Sequence, residues 1–171
     1  MPTTTATTTT TASADRIEKQ VTLDSPRSRV WRALTDVAQF NAWFGVSLTT
    51  PFTPGAEASG KISIRNYDHM TMTIWIETIE PERFFSFRWH PYAVEEGVDY
   101  SAEPTTLVSF TLEDLGGGTR LTIVESGFDA IPESRRAKAF SMNSSGWAGQ
   151  AENIRRFLGE KTAERDSGLV S

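Results

Sequence analysis

The stretch TTLVSFTLEDLGGGTRLTIVESGF, residues 105–128, decides the fold. Apolar and polar side chains alternate over residues 106–113 and again over residues 119–125, with the period of two that is typical of half-buried strands. The glycines at 116–118 lie between these segments and can adopt the positive φ angles of a tight turn. The stretch therefore predicts an antiparallel hairpin with one apolar face.

Segments upstream of this hairpin extend the predicted sheet. Strand-like patterns occur over residues 17–23, 61–65, 70–79 and 84–90, and turn-forming residues separate them. The connections are short except for residues 91–104, so an antiparallel meander is the simplest topology. The long connection is either a lid over a cavity mouth or a plain surface loop.

Apolar residues recur at helical spacing in two regions. The first follows the Ser-Pro pair at 25–26, predicted as N-cap and first helical residue, and should break near residues 36–39 into two short helices. The second predicts a long C-terminal helix, because apolar residues follow Trp147 at i+4, i+7 and i+11. Gly146 and Gly149 interrupt it at a cost of about 1 kcal/mol each relative to Ala, so a close approach or a cavity should require their small size.

Composition and charge exclude several classes of function. The length of 171 residues suits one domain, and 17 basic against 22 acidic residues give a net charge of -5 and a pI near 5.1. Such a chain lacks the electrostatic attraction that nucleic acid or an anionic membrane requires. Because the sequence contains no cysteine, it excludes disulfides, thiolate zinc sites and cysteine-ligated clusters.

The two ends of the chain differ from its middle. Residues 1–14 predict a disordered Thr-rich leader, residues 15–160 a single folded domain, and residues 161–171 a flexible tail. The leader has no basic region followed by an apolar stretch, so we interpret it as neither a secretory signal nor a membrane anchor. No later segment approaches the roughly 20 apolar residues of a membrane helix, and we expect a cytoplasmic protein.

Together these elements predict an α+β fold. A sheet with one apolar face needs a cover, and only the C-terminal helix is long enough to provide it. We expect a curved antiparallel β-sheet wrapped around a long C-terminal helix, with two short helices after the first strand. Such a sheet rarely closes tightly along its whole length, and the remaining gap is a pocket.

Five segments of the chain carry a family resemblance: SPRSRVWRALTD, WFG, IEPERFFSFRW, the hairpin stretch and the GW pair at 146–147. In order and spacing they resemble the START-like, helix-grip superfamily, also called SRPBCC. Within it they are most similar to the branch related to the activator of the heat-shock-chaperone ATPase. The resemblance implies a helix-grip fold with a hydrophobic cavity between sheet and long helix, used for lipids, sterols, polyketides and other apolar molecules.

A second resemblance comes from RWHPYAVEEGVDYSAEPTTLVSF, residues 88–110, which is similar to bacterial chains labelled vanillate O-demethylase oxidoreductase. The reductase of such a system needs cluster cysteines and a G-x-G-x-x-G motif, and the sequence has neither. The Rieske oxygenase needs cysteine and histidine ligands, whereas the only histidines are His69 and His90. The chain is therefore not a stand-alone component of that enzyme.

Large rings and a few polar side chains are the candidates for ligand binding. We expect the pocket to be formed by Trp43, Phe44, Met72, Phe85, Phe87, Trp89, Phe110, Glu125, Asn143 and Trp147. Ordinary core packing explains any single ring, and the pocket interpretation depends on a ring-rich sheet face meeting a ring-rich helix stripe. We place Trp43 and Phe44 near the pocket mouth.

Glu125 is an unusual candidate because it shares strand parity with Leu121 and Ile123 and should point inward. A buried carboxylate needs partners. The candidate partners are Arg88, Tyr92, Tyr100, Arg135 and Asn143. In one interpretation Glu125 anchors a ligand or transfers a proton in the cavity, and in the other it pairs with an arginine at the rim and orders the start of the last helix.

Three functions remain open at this stage. The first, which we expect, is non-enzymatic binding of a small apolar or aromatic molecule. The second is a cyclase- or dehydratase-like enzyme in which His90, Glu125 or Tyr92 moves protons, and the third is a co-chaperone-like protein-interaction module, as the resemblance implies. We expect no cofactor and no metal ion, since two histidines at irregular spacing make a poor metal site. A homodimer is possible.

Overall fold

The computed structural model describes residues 15–95 and 97–159. The predicted leader at 1–14 and tail at 161–171 lie outside these residues, so the expectations for them stay predictions. Within the described residues the chain forms one six-stranded sheet and three α-helices, the last of them long. The predicted α+β fold is confirmed.

The elements follow one another in the predicted order. They are β1 (Arg16–Leu23), α1 (Arg27–Thr35), α2 (Val37–Phe44), β2 (Glu57–Lys61), β3 (Thr71–Glu80), β4 (Phe84–Trp89), β5 (Thr106–Asp114), β6 (Thr119–Ser126), a 3-10 turn (Phe128–Ala130) and α3 (Glu133–Phe157). The strand order in the sheet is β1-β6-β5-β4-β3-β2, and every neighbouring pair is antiparallel. Strands β2 to β6 therefore form the expected meander, and β1 extends it by pairing with β6.

The hairpin of β5 and β6 has the predicted geometry. Its register runs from Leu107 opposite Ser126 to Asp114 opposite Thr119, and alternate side chains of both strands are buried. The turn glycines 116 and 117 have φ angles of 80° and 124°, which non-glycine residues rarely adopt.

The helical break lies at Asp36, inside the predicted range. This residue is extended, and its carboxylate accepts the Gln39 N–H at 3.1 Å and caps α2. The predicted start of α1 is wrong by one residue, because Pro26 is the N-cap, with φ -69° and ψ 157°. Ser25 instead presents its carbonyl to the Thr119 hydroxyl at 2.8 Å. This bond holds Ser25 against β6, and the helix begins only after the proline.

The predicted strand over residues 61–65 is also wrong. The strand β2 ends at Lys61, and beyond it Ile62 makes only an isolated bridge with Val46. A Cβ atom at Gly60 would lie 2.0 Å from the carbonyl oxygen of Ser47. Only glycine therefore allows the backbone at Ser47 to pack so closely against β2. The alternation of apolar and polar residues does not predict this contact.

Aromatic rings fill the core between the sheet and the two short helices. Phe85 stacks on Phe110 with a centroid distance of 5.8 Å and on Phe52 at 5.6 Å. Phe40 of α2 meets the edge of Phe87 at 6.3 Å. The helix α3 packs against α2 and β1. Within residues 15–95 and 97–159, no helix has the length and apolar character that crossing a membrane requires.

Candidate functional site

An open cavity of about 700 Å³, here called the large cavity, lies between the sheet and α3. Its walls come from β3, from the end of β4, from the loops that follow β2 and β4, and from one face of α3. Rings and thioethers dominate the apolar part of the wall, which includes Phe44, Met70, Met72, Trp75, Trp89, Tyr92, Tyr100 and Met142. The size falls within the range of pockets that hold small molecules.

Exposed apolar side chains surround the mouth of the large cavity, beside exposed polar ones such as Glu57, Asp99 and Ser101. Among the described residues, the exposed large hydrophobic side chains are Ile64, Val98, Leu115 and Met142. Of these, Ile64, Val98 and Met142 line the cavity and come from three different segments of the chain. A single exposed hydrophobic side chain is common, but a group of them around one opening is typical of a binding site.

A smaller pocket of about 90 Å³, here called the side pocket, adjoins the large cavity. It is lined by Phe44, Trp89, Asn143, Gly146, Trp147 and Gln150, the first four of which also line the large cavity. The rings of Phe44, Trp89 and Trp147 stand 5.7–6.0 Å apart, centroid to centroid. The side-chain amide of Gln150 donates an N–H to the Phe44 carbonyl at 2.9 Å.

The carboxylate of Glu125 is fully buried behind the side pocket. Its Oε2 accepts the indole N–H of Trp89 at 2.8 Å and the hydroxyl of Thr106 at 2.6 Å. Its Oε1 accepts the indole N–H of Trp147 at 2.8 Å. The amide nitrogen of Asn143 donates to both oxygens, at 3.0 and 3.1 Å. Both oxygens of the carboxylate are therefore fully used as acceptors.

These four donors are neutral and come from β4, β5 and α3, so that Glu125 joins the sheet to the long helix. Burial of a carboxylate is costly unless hydrogen bonds replace its water, and here they do. The predicted pairing of Glu125 with an arginine is wrong. Of the candidate partners only Asn143 contacts it, because the guanidinium of Arg135 is engaged elsewhere.

Arg135, in the first turn of α3, anchors the long connection after β4. Its guanidinium donates to the Glu103 carboxylate at 2.8 Å and to the carbonyls of Pro91 and Tyr92 at 2.8 and 2.9 Å. It also lies 4.8 Å above the ring of Tyr100. These bonds hold the connection after β4, for which a lid and a plain surface loop are the two alternatives, against α3 as a wall of the large cavity.

Two titratable groups lie in the part of the wall that follows β4. The backbone N–H of Ser101, 3.0 Å from Asp99 Oδ1, lowers the pKa of Asp99 below its ordinary value of 3.8, and the Ser101 hydroxyl and the nearby His90 act in the same direction. The Nε2 of His90 lies 3.0 Å from the Glu103 carbonyl oxygen. Because a carbonyl oxygen only accepts, Nε2 carries the proton and donates this bond.

The structure brings half of the predicted site residues to the cavities. Phe44, Met72, Trp89 and Asn143 line the large cavity, and Trp147 lines the side pocket. Glu125 lies directly behind them and contacts Trp89, Asn143 and Trp147 through hydrogen bonds. Five of these side chains, all except Met72, form one contiguous group around the middle of α3.

The remaining candidates line neither cavity, although most of them pack directly behind rings that do. Phe85, Phe87 and Phe110 are fully buried and pack on one another in the core. Trp43 is almost fully buried, and its indole N–H donates to the Ala33 carbonyl at 2.7 Å. These rings interlock because α2 and the loop after it supply further rings, which the sequence pattern did not place.

Sequence reasoning missed Thr106 and the loop residues of the mouth. Thr106 shares strand parity with Val108 and Phe110 and is fully buried, so strand alternation offered a signal for it. Ile64 lies in the segment whose alternation wrongly predicted a strand, and Val98 lies in a loop without periodicity. Neither pattern indicated a position in the cavity wall. Over the described part of the chain, no group of three or more His, Cys, Asp or Glu residues is placed to hold a metal ion.

Comparison with known proteins gives one family and many similar structures. The family model described as Activator of Hsp90 ATPase homolog 1-like protein matches residues 24–159. No curated protein matches the chain. The resemblance to the helix-grip superfamily and to its heat-shock-activator branch is confirmed, whereas the resemblance to chains labelled vanillate O-demethylase oxidoreductase stays a prediction.

Three solved structures illustrate the similarity. DynU16, from the dynemicin biosynthetic locus, is 26% identical with a TM-score of 0.65 over 85% of this chain, but the chain spans only 47% of DynU16. Protein MLL2253 from Mesorhizobium loti is 23% identical with a TM-score of 0.66, over 84% of this chain and 96% of that one. The Aha1 dimer from Colwellia psychrerythraea is 14% identical with a TM-score of 0.62, over 84% and 95%.

Proposed function

Because the chain belongs to the family of Activator of Hsp90 ATPase homolog 1-like proteins, whose fold it shares, we propose that it binds a small hydrophobic or aromatic molecule between the sheet and α3. The observation that carries this proposal is the large cavity of about 700 Å³, with ring-rich walls and exposed apolar side chains at its mouth. Transfer of an apolar molecule from water into such a site is favourable. The similarity to DynU16, from a biosynthetic locus, supports a small-molecule ligand.

The proposed contacts follow from the lining residues. Phe44, Trp89 and Trp147 offer ring faces or edges to an aromatic ligand. Met72 adds a flexible wall that adapts to ligand shape. Asn143 supplies the polar contact nearest to these rings.

Binding without catalysis is the function that the titratable groups favour. A proton-transferring Glu125 would have to release at least one of its four donors before it could accept a proton from a ligand. The Nε2 of His90 is bound to the Glu103 carbonyl. An acid–base mechanism needs a group within hydrogen-bond reach of the reacting atom. The carboxylate of Glu125 is committed to the protein, whereas Nδ1 of His90 is left as an acceptor. The co-chaperone-like alternative, the homodimer and the cytoplasmic location stay predictions.

A titration with N-phenyl-1-naphthylamine tests the proposal. This neutral dye fluoresces strongly only in apolar surroundings, so we expect a saturable increase in emission with one dye per chain. The same protein in concentrated urea is the control and should give no increase. A weak increase that never saturates, or no increase with the folded protein, would contradict the proposal.

A further inference from the structure

Most hydrogen-bond donors of the side pocket are already used by the protein itself. The indole N–H groups of Trp89 and Trp147 both donate to Glu125, at 2.8 Å each. The amide N–H of Gln150 donates to the Phe44 carbonyl at 2.9 Å. Phe44 and Gly146 carry no polar side-chain atom. The polar side chains of this pocket that retain unused hydrogen-bonding capacity are therefore Asn143 and Gln150.

The orientation of the Asn143 amide is fixed by Glu125. A carboxylate accepts and does not donate, so the NH₂ end of the amide must face it, and it lies 3.0 and 3.1 Å from the two carboxylate oxygens. The oxygen Oδ1 then points away from Glu125, and within the described chain it makes no hydrogen bond. The oxygen of Gln150 accepts one bond, from Asn153 at 3.0 Å, and retains a second lone pair. The side pocket therefore offers two accepting oxygens, whereas its one uncommitted donor is the second amide N–H of Gln150.

Charges around the large cavity also disfavour an anionic ligand. Glu57 and Asp99 line it, and no lysine or arginine is found among the described residues of its wall. The carboxyl group of Glu125 is buried behind the side pocket, where an anionic ligand would approach it. An anionic ligand would lose its hydration without gaining a cation at the side pocket, where at most one amide N–H of Gln150 could replace its water, which is unfavourable.

On this basis, and resting on the function proposed above, we infer that the side pocket recognises a ligand by accepting a hydrogen bond from it. The ligand class is an aromatic molecule with a hydroxyl or N–H group on the ring, such as a phenol or an aryl amine. Its donor lies on Asn143 Oδ1 while its ring lies among Phe44, Trp89 and Trp147. Aromatic carboxylates of the same shape are rejected.

Three naphthalenes that differ in one substituent test the inference, with binding measured by calorimetric displacement of N-phenyl-1-naphthylamine. We expect 1-naphthol to bind about two- to tenfold more tightly than 1-methylnaphthalene, its isostere without a donor, which corresponds to one net hydrogen bond. We expect 1-naphthoate to bind at least about tenfold more weakly than 1-naphthol. Equal affinities of the naphthol and the methylnaphthalene, or tightest binding of the naphthoate, would overturn the inference.

The variant Asn143→Leu tests whether the preference for 1-naphthol depends on the Oδ1 atom of Asn143. Leucine has nearly the shape of asparagine but no acceptor, so we expect the variant to bind 1-naphthol and 1-methylnaphthalene equally. Binding of 1-methylnaphthalene, which needs no acceptor, reports that the variant is folded and its pocket intact. A preference that survives in this variant would overturn the role of Asn143. If neither the dye nor any naphthalene bound the unchanged protein, the proposed function itself would fail, and this inference with it.

Discussion

Trp147 donates its indole N–H to Glu125 at 2.8 Å, in the buried space where the middle of α3 meets β6. The side chains of both residues are almost completely removed from solvent. The same indole ring forms one wall of the side pocket. The bond therefore connects the packing of the long helix with the shape of the proposed binding site.

Replacement of Glu125 by glutamine should destabilise the fold. One carboxylate oxygen becomes an NH₂ group that faces the donors of Trp89 and Thr106 or that of Trp147, and at least one indole N–H loses its acceptor. We expect the free energy of unfolding to fall by about 2 to 4 kcal/mol, measured by urea denaturation.

The matched control for that substitution is Glu113→Gln. Glu113 pairs with Arg120 at 2.9 Å across the same hairpin, but both side chains are about half exposed. Exposed pairs contribute at most about 1 kcal/mol, so this variant should stay within that limit. Equal effects of the two substitutions would show that Glu125 has no special role in stability.

Replacement of Arg135 by methionine should loosen the cavity wall that follows β4. The variant loses the hydrogen bonds to the Glu103 carboxylate and to the carbonyls of Pro91 and Tyr92, but it keeps an aliphatic side chain of similar length. We expect faster amide hydrogen exchange at residues 92–95 and 97–103 and a loss of about 1 to 3 kcal/mol in stability. Arg120→Met, which removes a half-exposed arginine, should leave exchange in this segment unchanged. Unaltered exchange in the Arg135 variant would refute the anchoring role.

The Asp99 carboxyl should titrate below its ordinary pKa of 3.8. The hydrogen bond from the Ser101 N–H is the main cause, so Ser101→Pro, which removes both the N–H and the hydroxyl, should raise the pKa towards that value. Ser101→Ala keeps the N–H and should give an intermediate result. Because the pKa is lower in the folded state, the stabilisation is present above the unfolded value and is lost as pH falls through the folded one.

A pH titration of the Asp99 carboxyl carbon by NMR measures this directly. The unchanged protein, titrated under the same conditions, is the reference for both variants. If the Asp99 pKa were the same in the unchanged protein and in Ser101→Pro, the hydrogen bond would not be its cause.

Strand alternation predicted the parts of the molecule that repeat with a fixed period. The hairpin of β5 and β6 and the inward position of Glu125 both follow from side chains that alternate between two faces. The long helix followed from its apolar stripe in the same way. Local periodicity fixes which face a residue occupies, and no more.

Such patterns do not predict which residues of different elements contact one another. Trp89 and Thr106 lie opposite each other in the β4–β5 register, and the rotation of α3 then brings Trp147 and Asn143 to the same carboxylate. Register and rotation are set by packing of the whole core, so no spacing in the sequence reveals them. The prediction that Phe85 and Phe110 line the pocket failed because the alternation could not place Phe52. This loop residue stacks on Phe85 and fills the space beside it.

Filling the cavity from Gly146 is the most direct test of ligand binding between the sheet and α3. Gly146 lines both the large cavity and the side pocket, and a Cβ atom there would meet nothing within 4 Å. Gly146→Leu should therefore stabilise the helix by about 0.5 to 1 kcal/mol while its side chain occupies space that a ligand needs. Gly149→Leu is the matched control, because it lies in the same helix with equal room and lines neither cavity.

The measurement is the N-phenyl-1-naphthylamine titration of the two leucine variants beside the unchanged protein. We predict that Gly146→Leu weakens dye binding at least about tenfold, as a steric block would, while its unfolding temperature rises. Gly149→Leu should gain the same stability and bind the dye normally. Dye binding that is unchanged in a folded Gly146→Leu protein would contradict a ligand site in this cavity.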